Sequence, residues 1–208
     1  MTTEAENEKK VMEVLDKLYG YTMKGLPNSK PAETLAHEYM SRYGTIEKAV
    51  NAMVENQVKK CTATGFLTGL GGVITLPITL PADVTSAMYV QMRMIAAIAV
   101  MHGYRVNDDA VKTMVYYVLL NIELYDILKQ VGIKFTNKAA MKALDKLPAK
   151  VLVKINQKIG FRFITKAGEK GIINIVKIIP FLGGFVNGAM NLVETKRIAN
   201  RAIKAFSS

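Results

Sequence analysis

From Cys61 to Tyr104 the chain carries two charged residues, Asp83 and Arg93, and no other feature restricts its fold so tightly. The first half, "CTATGFLTGLGGVITLPITLPA" (61–82), has no charge at all and is long enough to suit a membrane span. Gly65, Gly69, Gly71, Gly72, Pro77 and Pro81 interrupt it, however, and five threonines make it only moderately apolar. Glycine and proline oppose a continuous helix. The expectation is two short, tightly packed helical pieces, with Gly69, Gly71 and Gly72 letting backbones approach and Pro77 and Pro81 setting a bend. The second half, "DVTSAMYVQMRMIAAIAVMHGY", reads as a helix with Asp83 as N-cap and Gly103 as its stop. Its apolar residues lie on nearly all sides, which places it in the centre of a bundle or in lipid.

The flanking segments are ordinary amphipathic helix. "EKKVMEVLDKLY" (8–19) puts Val11, Leu15 and Leu18 on one face, and the Gly/Pro/Asn/Ser cluster of 20–31 reads as a loop. Pro31 suits a first helical turn and Gly44 a helix end. Thr45 caps the next helix, with Ile46, Ala49, Val50, Met53, Val54 and Val58 at helical spacing. A further apolar helix runs from an Asn107 cap to Gly132. The β-branched runs "GIINIVKII" and "GGVITL" are the only strand candidates, and both are short. The fold class is therefore all-α, a compact helical bundle in which 1–30 form a polar N-terminal helix and loop and 31–208 a single helical domain. At 208 residues the chain can bury a core without staples.

A weak internal echo links two stretches. "GGVITLPITLPADVTSAMYVQMRMIA" and "IVKIIPFLGGFVNGAMNLVETKRIANRA" each join a Gly/Pro hinge to a small-residue helix and then to Arg-(Met)-Ile-Ala. The shared logic is an apolar helical hairpin whose tip carries the Gly/Pro, roughly 61–103 and 171–205, with Pro180, Gly183 and Gly184 at the second hinge. Both hinges are candidates for membrane contact. The first stretch resembles the signature of the EcsC family: a Gly-rich apolar lead, Leu80-Pro81-x-Asp83, Gln91-x-Arg93, then Ile-Ala before His-Gly-Tyr. Pro180, Gly183, Gly184, Gly188 and Asn191 resemble that family's second block, and the likeness covers roughly residues 45–205. The family takes its name from a bacterial operon that also encodes an ABC transporter. The resemblance implies a bacterial, membrane-associated helical protein with no assigned enzymatic activity.

Charge is distributed unevenly. Residues 1–60 hold nine basic and nine acidic side chains, 61–130 four and five, and 131–208 fifteen and three, so the whole excess of +11 lies in the last third. Within it a cation falls on every fourth residue: Lys134, Lys138, Lys142, Lys146, Lys150, Lys154, Lys158, Arg162, Lys166 and Lys170. A step of four advances about 400° around a helix, so the stripe drifts by about 40° each time. Pro148 and Gly160 are expected to break the stretch into shorter helices, each keeping its cations on one face opposite an apolar side. A solvated face is the plain reading, but such faces usually mix signs, and only Asp145 and Glu169 interrupt this one. Lysine predominates over arginine, favouring diffuse attraction to an anionic surface over bidentate phosphate readout. Nucleic acid would call for a reader motif or stacking platform, and none is visible. An anionic membrane surface is the expected partner, with an acidic protein as the alternative.

Nothing in the sequence asks for catalysis, a metal or a cofactor. His37 lacks a second ligand at helical spacing, His102 sits where an imidazole faces a helix C-terminus, and "GFLTGLGG" has no phosphate-loop lysine. Cys61 is the only cysteine; it precludes an internal disulfide and fits a reducing compartment. "MTTEAENEKK" lacks the apolar core of a secretory signal. The expected location is cytoplasmic, peripheral to the inner face of the membrane. Asp83, Gln91 and Arg93, embedded in apolar sequence, must find partners. The expectation is a polar knot with Asn187 or Asn191, or else a headgroup or small-ligand pocket between the two hairpins with Arg93 as the anion contact.

Overall fold

The computed structural model describes residues 4–62, 74, 82–121, 127–129, 140–166 and 188–207. All the regular elements among them are α-helices: α1 (Glu4–Lys24), α2 (Ala32–Tyr43), α3 (Ile46–Thr62), α4 (Ala82–Met101), α5 (Asp109–Leu120), α6 (Ala140–Asp145), α7 (Ala149–Lys166) and α8 (Gly188–Phe206). The all-α reading holds. None of the described helices is long and apolar enough to cross a membrane.

The charge-poor helix α4 is the axis of the bundle. Every residue from Thr85 to Ala99 is buried, and α1, α2, α3, α5 and α8 all pack on it. Ala87, Ala96, Ala97 and Ala99 keep its girth small enough for five neighbours. Met92, Met94, Ile95 and Ile98 fill the spaces between them, each contributing about 1.5–3 kcal/mol of apolar burial. The helix stops as expected. Gly103 takes φ +85°, its N–H reaches Val100 O at 2.9 Å and the Tyr104 N–H reaches Ala99 O at 3.0 Å, the paired bonds of a Schellman turn. At the other end the helix already includes Ala82, so Asp83 lies in the first turn and is not the cap.

Other boundaries follow tertiary packing rather than local punctuation. Helix α1 does not stop at Tyr19 but continues through Gly20 to Lys24, because Leu18, Tyr19 and Thr22 remain buried against the core. Its end is made by Gly25, at φ +80°, whose N–H bonds Tyr21 O at 2.8 Å. Pro31 stands just outside α2 and its carbonyl accepts the first helical bond, from Leu35 N at 2.9 Å. Gly44, at φ +73°, ends α2. Thr45 caps α3, its Oγ1 accepting from Lys48 N at 3.4 Å. Helix α5 begins after Asp108, not Asn107, and ends at Asn121 in a left-handed conformation (φ 49°) rather than running to Gly132. Arg105 holds Asp108 by an ion pair at 3.1 Å, which occupies the carboxylate that would otherwise cap the helix.

A polar clamp ties α1 to α5. The Tyr116 hydroxyl donates to Asp16 Oδ1 at 2.6 Å, Lys112 Nζ lies 2.8 Å from the same oxygen, and the Tyr19 hydroxyl donates to Val106 O at 2.7 Å. The two tyrosine rings meet edge to face at 5.8 Å, and burial raises both phenol pKa values above the ordinary one. Helix α8 closes the opposite side, packing along α3, α4 and α5 with Phe206 against Tyr104 at 5.4 Å.

Helix α7 corrects one expectation directly. The turn at Pro148 does separate α6 from α7, but Gly160 lies inside α7 and does not break it. Its hydrogen faces α1: a Cβ there would stand 3.0 Å from Met12 Sδ. The glycine serves close helix approach, not termination.

Candidate functional site

The polar centre of the molecule forms around Arg93, which is 1 % exposed. The segment between α1 and α2 supplies its first partners. Leu26 and Ser29 exchange backbone hydrogen bonds at 2.8 Å each across Pro27 and Asn28, the latter at φ 65°. Proline followed by a left-handed asparagine suits a type II turn. That turn aims Ser29 inward, where its Oγ accepts from Arg93 Nη1 and lies 3.0 Å from the Tyr89 hydroxyl. Arg93 Nη1 also donates to Lys30 O at 3.2 Å, and Nη2 donates to Gln57 Oε1 of α3 at 2.7 Å. The guanidinium lies 5.5 Å from the centroid of the Tyr89 ring, a cation–π distance. Its Nε–H is buried with no hydrogen-bond partner among the described residues. None of these partners is a carboxylate.

Beside this centre opens a cavity of about 890 Å³, walled by α2, α3 and the turn, with Arg93 in its lining. Lys30, Arg42 and Lys60 also line it, and Glu38 is the one carboxylate among the lining residues. Glu38 is engaged by Lys30 in an ion pair. Burial lowers the proton affinity of Arg93. Burial first, and then the charge of Arg93, lowers that of Lys60.

Gln91 belongs to a different seam. Two residues from Arg93, it points the other way, and its Nε2–H donates to Thr195 Oγ1 of α8 at 3.2 Å. Thr195 also bonds Cys61, whose buried thiol is pushed up to about 12 by desolvation. Gln91 is thus tied to α8 through Thr195, a residue the expected knot did not include. Arg93 is not part of that bond, and the other described residues lining its cavity come from α2, α3 and the turn between α1 and α2. Asn187 lies outside the described residues, as do Gly69, Gly71, Gly72, Pro77, Pro81, Pro180, Gly183 and Gly184; the side chains of Asp83 and Asn191 are likewise outside them. Sequence reasoning missed Ser29, Lys30, Arg42, Gln57 and Lys60. The signal available was the lone charge in the buried stretch Thr85 to Ala99, which demands partners without saying from where.

The lysine interval is described in its middle. Lys142, Lys146, Lys150 and Lys154 are exposed and Lys158 is half-buried. The first four enter no ion pair among the described residues. Exposed Val153 and Phe161 share the outer stripe of α7 with Lys150 and Lys154, within about 60° of Lys150 at 100° per residue. Leu152, Ile155 and Ile159 form the buried side. Because α7 is unbroken, the drift carries positions 162 and 166 away from that stripe, so the interval is not one face. Lys134, Lys138 and Lys170 lie outside the described residues, as do the side chains of Arg162 and Lys166.

Among the described residues no group of three or more His, Cys, Asp or Glu side chains could hold a metal ion. Compared with known proteins, the chain matches the family model described as the EcsC protein family over residues 3–208, a wider span than the two motif blocks. No curated protein and no solved structure matches it.

Proposed function

The chain belongs to the EcsC protein family, and on that premise we propose that it is a non-enzymatic accessory or scaffold protein docking on an anionic membrane surface through α6 and α7. One observation carries this reading: four exposed lysines outside any described ion pair, Lys142, Lys146, Lys150 and Lys154, accompany two exposed apolar side chains, Val153 and Phe161. The lysines supply the long-range term, on the order of 1 kcal/mol each near an anionic leaflet. Val153 and Phe161 supply a short-range one, since an interfacial helix gains by burying its apolar face at the headgroup boundary. The anionic leaflet in question is the cytoplasmic one.

Co-sedimentation with vesicles tests this. Binding is expected to vesicles containing phosphatidylserine and not to neutral ones, to weaken as salt rises, and to be lost when Lys142, Lys146, Lys150 and Lys154 are replaced together by Gln. Replacing Phe161 by Ser should leave the salt dependence but weaken binding several-fold. No binding to anionic vesicles, or binding indifferent to the four lysines, would defeat the reading. The same face would then be sought as the seat of an acidic protein partner, bound one to one and without lipid.

A further inference from the structure

The cavity beside Arg93 uses none of the residues of the proposed docking face, and its chemistry is more specific. We infer that it is a binding site for a phosphate-bearing ligand, with Arg93 as the buried anchor and Lys60 and Arg42 as the cations nearer solvent. Three observations converge on this.

The first is a charge imbalance inside the molecule. An isolated buried cation is costly, several kcal/mol even after relaxation, unless an opposite charge accompanies it. Arg93 is buried against Ser29, Lys30 O, Gln57 and the Tyr89 ring, all uncharged acceptors, and its Nε–H has no partner among the described residues. A single anion in the adjoining cavity would supply the missing charge.

The second is the lining itself. Four cations, Lys30, Arg42, Lys60 and Arg93, face one carboxylate, and that carboxylate is held by Lys30. Four cations against one carboxylate leave the lining with an excess of positive charge, which suits an anion. Burial lowers the proton affinity of both Lys60 and Arg93, the charge of Arg93 lowers that of Lys60 further, and an anion beside them would oppose both effects. Neutral donors, the Ser41 hydroxyl and the Asn28 and Asn56 amides, also line the cavity and can serve further phosphate oxygens.

The third is size. At about 890 Å³ the cavity far exceeds one inorganic ion and falls within the range of small-molecule sites. The cavity thus has room for a phosphate carried on a larger body, either a soluble phosphomonoester or a lipid headgroup.

Titration calorimetry at constant ionic strength distinguishes these. The probes are inorganic phosphate, glycerol 3-phosphate and water-soluble dihexanoyl phosphatidic acid, with sodium chloride as the reference. Saturable heat from at least one phosphate probe, at least ten-fold weaker in Lys60→Gln and in Arg42→Gln and unchanged in the exposed control Lys17→Gln, is the expected result. Tighter binding of the short-chain lipid than of glycerol 3-phosphate would identify a headgroup site; equal binding would identify a soluble phosphomonoester. Arg93→Lys keeps the charge but loses the planar fork and should bind more weakly still. If that variant fails to fold, the Lys60 and Arg42 variants decide alone. Phosphate probes behaving like chloride, or binding that ignores Lys60 and Arg42, would overturn the inference. Either outcome is independent of the vesicle experiment, because the variants of the two sites do not overlap.

Discussion

Arg93 shows how one side chain can organise its surroundings without an ionic partner. Its stability rests on neutral acceptors whose geometry must be correct, and Gln57 is the most exacting of them because its Oε1 takes a charged donor at 2.7 Å. Gln57→Leu, nearly the same volume, should therefore destabilise by about 2 kcal/mol, the scale for leaving a buried donor unpaired, measurable as a lower urea midpoint with unchanged slope. His102 makes the opposite kind of case. The sequence places its imidazole at a helix end, where the dipole favours the cation, yet burial lowers its pKa below the ordinary value. Between that lowered value and about 6.5 the unfolded chain binds more protons than the folded one. Stability should thus be fully present above about pH 7 and fall as pH drops through about 6.5. Urea midpoints at about pH 7 and 5.5 should differ less in His102→Gln than in the parent protein.

At the scale of elements, glycines separate local from tertiary control. Gly20 lies within α1 and a Cβ there would meet nothing within 4 Å, so Gly20→Ala should stabilise by about 0.5–1 kcal/mol through helix propensity. At Gly25 the φ of +80° and a Cβ only 2.8 Å from Ser29 O make Gly25→Ala destabilising by at least about 2 kcal/mol. It should also disturb the turn that presents Ser29 to Arg93. Thermal unfolding of the two variants should move in opposite directions. This pair explains what was legible in the sequence. Gly44, Thr45 and Gly103 end or begin helices through bonds to their own neighbours in the chain, and a reader of sequence sees them. Gly20 and Gly160 carry the same letter but sit inside helices, because Leu18, Tyr19 and Met12 are packed by partners far away in sequence. The extent of a helix is a tertiary fact whenever its far end is buried.

For the whole molecule, the all-α class and the central place of the charge-poor helix were readable, since Thr85 to Ala99 contain one charge and no polar face. The exposed lysines were readable too, from their sign and spacing. The cavity was not. Its wall is assembled from a turn at 26–29, from α2 and from α3, segments whose sequences are unexceptional and whose convergence depends on how they stack around α4.

The packing of α8 on α3 has a consequence for how the chain comes into being. On the ribosome α3 and α4 are complete more than ninety residues before Thr195 is made, a delay on the order of ten seconds at ordinary elongation rates. Until then Cys61 and Gln91 lack the Thr195 hydroxyl that bonds both in the finished fold. There the thiol is sealed, with a proton it will not readily release. The reactivity of Cys61 toward a thiol reagent should therefore fall as α8 docks, which makes this one thiol a natural reporter of the last stage of assembly.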